Sequence, residues 1–67
     1  MATENYNGYT IRGFAKPMVD SMFEAAGAVE RGHQMLGGPD PLGYYPTFER
    51  AVAVGLAWAR AWVDAHH

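Results

Sequence analysis

From Thr47 onward the apolar residues recur at helical spacing, and no other stretch is as long or as regular. Phe48, Val52, Gly55, Leu56, Ala59 and Val63 form one stripe. Glu49, Arg50, Ala53, Ala57, Arg60 and Asp64 fall on the opposite arc. Alanine recurs throughout, and it is the best helix former. Pro46 discourages an earlier start and Thr47 suits the N-cap, so the helix is predicted over 47–65. Glu49 suits the positive pole and His66 and His67 the negative one, while Asp64 opposes the dipole. Arg50 stands where a capping box would need Glu or Gln. A second set, including Val54, Trp58, Ala61 and Trp62, widens the apolar region to roughly 220°, whereas a helix on one sheet needs only somewhat over 100°.

The first half alternates with the period of strands. In Tyr9–Lys16, Thr10, Arg12 and Lys16 share one side. Phe14 falls on that polar side too, so either it covers the second face of a sheet or Gly13 is a bulge that turns it inward. Asn7-Gly8 is a turn signal that opens this strand, with residues 1–5 a frayed terminus before it. Pro17 ends the ladder, and Val19-Asp20-Ser21 reads as a hairpin connection. Met22–Arg31 is predicted as the second strand, with Phe23, Ala25, Gly27 and Val29 on one face. Its helix formers make a helix the rival reading, which Gly27 and the first strand's need for a partner oppose.

Residues 32–46 carry the Gly/Pro-rich segment Gly37–Gly43 and are predicted as a loop. Met35, Leu36, Leu42, Tyr44 and Tyr45 make it apolar enough to pack down, and 33–36 or 42–45 would suit a third short strand. The expected fold is α+β: one small domain over 1–67, with a two- or three-stranded antiparallel sheet and one C-terminal α-helix packed on one face. Its predicted core holds Tyr9, Ile11, Phe23, Val29, Phe48, Val52, Leu56, Ala59, Trp62 and Val63.

Length adds a constraint. With 67 residues the chain buries only about 60% of its unfolded surface and is marginal alone. There is no cysteine, so disulfides cannot supplement the core, and a zinc site would have only His33, His66 and His67 to draw on. Association with another chain is the supplement left open. The net charge of −2 and the scattered five Lys and Arg give no nucleic-acid footprint. No secretory leader or bilayer-length apolar run is present, which predicts a soluble cytoplasmic protein.

No recognisable chemistry is specified. The glycines at 37, 38 and 43 lack the Gly-Lys-Ser/Thr of a phosphate loop. Nothing in the spacing joins His33 to Asp40, Glu24 or Glu30 as an acid–base pair, and Ser21 has no nucleophile-elbow context. The tyrosines and tryptophans lack both a basic groove for nucleic acid and convergent polar groups for a ligand. No catalytic residue, cofactor or metal site is therefore expected, and the sequence predicts a non-enzymatic interaction or assembly module. A weak small-ligand binder using His33, Tyr44 and Tyr45 is the rival. The candidate interface is the helix flank Val54, Trp58 and Ala61, covered either by residues 36–45 or by a protein partner such as a second copy.

Gly8-Tyr9-Thr10-Ile11, Ala15-Lys16-Pro17 and the helix positions Phe48, Ala51, Gly55-Leu56, Ala59 and Trp62-Val63-Asp64 resemble a group of short uncharacterised bacterial proteins. The resemblance runs from Tyr6 to the end and implies a β-β-(β)-α domain with no known activity. The chain is more distantly similar to the antitoxin module of HicB type, with its strands, glycine turn and alanine-rich helix. That likeness implies binding to a small basic toxin. The module's Gly-Cys-x-Thr/Ser-x-Gly segment is replaced here by Gly43-Tyr44-Tyr45-Pro46-Thr47.

Overall fold

The computed structural model describes residues 2–66. Met1 of the predicted frayed terminus and His67 of the terminal histidine pair lie outside the described residues. The protein is α+β. Strands β1 (Ala2–Tyr6), β2 (Tyr9–Pro17), β3 (Phe23–Arg31), β4 (Gln34–Gly37) and β5 (Pro41–Tyr45) precede one helix, α1 (Phe48–His66). All strand pairs are antiparallel, in the order β1-β2-β3-β4. The fifth strand, β5, also pairs with β3, lower on the edge that β4 occupies. The helix covers one face of this sheet.

Local chemistry accounts for the turns. Tyr6 pairs with Tyr9 across a two-residue turn in which Asn7 and Gly8 both have positive φ, the hairpin geometry that Asn-Gly favours. Residues 2–6 are thus a strand and not a frayed end. The alternation was hidden because Glu4, a charged residue, shares the helix-facing side with Ala2 and Tyr6. Val19–Ser21 form a short 3-10 turn, closed by the Met18 N–H donating to the Met22 carbonyl at 2.8 Å. The β2–β3 register runs unbroken through Gly13↔Gly27, so Gly13 is no bulge and Phe14 stays on the face away from the helix.

The predicted loop over 32–46 becomes two strands, which brings the sheet to five. Arg31 and Gln34 close a two-residue turn, and Tyr44 and Tyr45 pair with Glu24 and Phe23. Pro39 lies between the two strands and Pro41 begins the second, so neither interrupts a central ladder. The helix starts as its sequence predicts. The Arg50 N–H donates to Thr47 Oγ1 at 3.1 Å, and Ala51 N–H donates to the Thr47 carbonyl.

The main core cluster is Tyr9, Ile11, Val29, Val52, Leu56, Ala59 and Val63, all from the predicted set, while Ala25, Ala28 and Ala51 are also fully buried and were not in it. Phe23 and Trp62 are half-buried. Phe48 departs furthest: it is 42% exposed, touching Phe23 edge-on at a centroid distance of 6.1 Å. It stands at the first helical turn, where the helix reaches the end of the sheet.

Helix and sheet meet at backbone level. Gly13 and Gly27 are cross-strand partners, and Gly55 sits above them. A Cβ on Gly13 would strike the Val52 carbonyl oxygen, one on Gly27 the Gly55 carbonyl, and one on Gly55 the Ala26 carbonyl. On the β1 side the helix is held by polar groups instead. The Arg60 guanidinium donates to both Glu4 carboxylate oxygens at 2.8 and 2.9 Å, and the Tyr6 hydroxyl donates to Asp64 at 2.9 Å.

Candidate protein interface

The flank predicted as an interface lies along one line of the helix, with Val54 and Trp58 half-buried and Ala61 exposed. The sheet has taken up part of its surplus. Trp58 lies over Gly27, where an added Cβ would come within 2.7 Å of ring atom Cε3. Trp62 lies against Gly37 in the same way, 2.7 Å from Nε1. Both tryptophans pack against the buried core. A sheet wider than two or three strands, bearing glycine under each indole, covers a broader arc than a single stripe requires. The surplus left on this flank is correspondingly smaller. Trp62 also stacks on His66 at 3.9 Å, whose Nδ1 donates to the Trp62 carbonyl.

The sheet's other face has no helix. Across β2 and β3 its cross-strand pairs are Thr10↔Glu30, Arg12↔Ala28, Phe14↔Ala26 and Lys16↔Glu24. Arg12 is engaged within the chain: it forms an ion pair with Glu30 and donates to Thr3 Oγ1 at 3.3 Å. Beyond β3, the connection 38–40 folds back on the strand. Gly38 lies so close to Gly27 and Ala28 that a Cβ there would meet their backbone. Phe14, Ala26, Pro39 and Pro41, bordered by Lys16, Glu24 and Asp40, then enclose an open cleft of about 280 Å³. Its volume falls just below the usual range for a small-molecule site, and it lies open on the face. Tyr44 (57% exposed) and Met35 (51%) stand on the same face, opposite Glu24 and Glu30 respectively.

The rival ligand set is not assembled. His33 lies in the β3–β4 turn, whereas Tyr44 and Tyr45 pair with the opposite end of β3. The two tyrosines are adjacent in a strand and so point to opposite faces. Arg50 lies over the Tyr45 ring at 6.0 Å beside a shallow depression of about 640 Å³ at the helix start. Among the described residues, no three His, Asp or Glu side chains converge as a metal site would need. No helix of the described residues is long and apolar enough to cross a membrane.

The cleft's residues were missed as a group because three of the seven, Pro39, Asp40 and Pro41, sat in the predicted loop. Phe14 alone carried a signal, as an aromatic out of phase with its strand. Compared with known proteins, the chain matches no family model, no curated protein and no solved structure.

Proposed function

We propose that this chain is an interaction module that binds a protein partner through the open face of its sheet. One observation carries the reading: Phe14, Pro41, Met35 and Tyr44 occupy a face that an antiparallel sheet ordinarily gives to polar side chains. The amount of exposed surface is not the argument. At 4190 Å² it is close to the roughly 4200 Å² of a compact 7.4 kDa chain. What counts is where the apolar part lies. Around it Lys16, Glu24 and Asp40 supply a polar rim, as interfaces do around an apolar centre.

A photo-crosslinking amino acid at Tyr44 or Lys16, compared with one at Ala57 on the helix's solvent side, tests this in the cell. The open-face positions should give adducts of discrete mass and Ala57 none. Adducts from the helix alone, or from no position, would refute the reading. A small basic chain in the adduct would match the partner implied by the likeness to the HicB-type module.

A further inference from the structure

We infer that the partner of the open face is a second copy of this chain, packed sheet to sheet about a two-fold axis that runs along the strands between β2 and β3. This rests on the interaction-module reading and names its occupant. The cross-strand register supplies the argument. Such an axis lays each β2 position of one copy above its own β3 partner position in the other. Phe14 then lies above Ala26, a large side chain above a small one, and Lys16 lies above Glu24. Each match occurs twice, because a two-fold interface is self-complementary.

The outline of the sheet fits the same operation. On one side of the axis, the described residues of β1 pair with β2 from Tyr6↔Tyr9 to Ala2↔Gly13. On the other side, at the level of Ala26, the rim Pro39-Asp40-Pro41 stands beside the cleft. The rotation carries the rim of one copy to the outer side of the other's β2, which brings Asp40 toward the partner copy's Lys16. Arg12 needs no such partner, being already paired with Glu30. Stacked sheets cross at about 30°, a rotation that leaves the central pairs in contact. The molecule measures 37 × 19 × 16 Å, so its broadest outline is about 700 Å² in projection. A standard interface takes about 800 Å² from each partner.

Charge reversal tests both the occupant and the register. Sedimentation equilibrium of the wild type should reach twice the 7.4 kDa mass at concentrations up to about 1 mM. Lys16→Glu and Glu24→Lys, each placing like charges opposite one another twice, should each weaken dimerisation about tenfold or more. Mixing these two variants in equal amounts should restore dimers, since only the mixed pair has opposite charges at both contacts. Loss of fold explains a weak dimer but not its recovery on mixing. If either variant unfolds, Lys16→Gln and Glu24→Gln must still weaken association. A wild type that stays monomeric at the top concentration, swaps without effect, or a mixture that stays monomeric would each overturn the homodimer. Crosslinks from the open face to a different chain would overturn it too, yet leave the interaction module standing; no crosslinks and no dimer would remove both.

Discussion

Leu56 and Phe48 lie on the same predicted stripe, two turns apart, but bury very different amounts of side chain. Leu56 is buried, with its Cγ close above Gly13, so Leu56→Ala should cost about 2–5 kcal/mol. For a domain this small that is a large part of its total stability. Phe48 keeps only an edge contact with Phe23 and a half-exposed ring, so Phe48→Ala should cost about 1 kcal/mol. Urea unfolding of the two variants measures the difference, and equal costs would contradict the exposed ring. Tyr6 gives a pH-dependent counterpart. Its hydroxyl donates to Asp64, and chiefly for that reason its pKa is raised above the ordinary 10.0. The folded state therefore holds the phenolic proton more tightly than the unfolded chain does. The resulting stabilisation is complete below pH 10 and is lost as the pH climbs through the folded-state pKa. Absorbance titration should show Tyr6 ionising late, and Asp64→Asn should lower its pKa toward the ordinary value.

Among the elements, the helix depends most on what it lacks at one position. Alanine at 55 would favour the helix by about 1 kcal/mol. Its Cβ, however, would strike the Ala26 carbonyl and come within 2.9 Å of the Gly13 Cα. Backbone atoms cannot swing aside as a side-chain tip can, and overpacking costs about 1–3 kcal/mol. Gly55→Ala should thus lower the denaturant midpoint despite its better propensity, and a raised midpoint would show that the helix lifts freely. This contact explains how much could be read from the chain. The stripe, the Thr47 cap and the inward residues of β2 and β3 follow from periodicity, which is local. That Gly13, Gly27 and Gly55 meet is a tertiary fact, and each glycine alone reads as a weak spot. β1 escaped notice because Glu4 faces the helix, where only Arg60 makes it acceptable. For β4 and β5 the chain offered 33–36 or 42–45 as alternatives for one extra strand, and both form, because proline and glycine mark a loop unless a strand edge is free to receive it. The candidate interface joins Phe14 to residues of that loop, so it became visible only with the sheet complete.

At the scale of the whole molecule, β3 is the common support, bonded to β2 along one edge and to β4 and β5 along the other. One face of this support is closed by the helix and the other carries no helix, so the short chain has a single interior layer. A single layer of apolar side chains is by itself poor at dictating one arrangement, because apolar burial is non-directional. Here the three glycines restrict that freedom. A shift of the helix by one turn, about 5.4 Å, would bring Ala51 or Ala59 to the place of Gly55. Either methyl would then meet the carbonyl that excludes a Cβ at position 55. The neighbouring packings are ruled out by collision, which widens the energy gap between the native basin and its nearest competitors. The glycine seat therefore acts on the states the chain does not adopt: it makes one alignment unique where apolar burial alone would tolerate several.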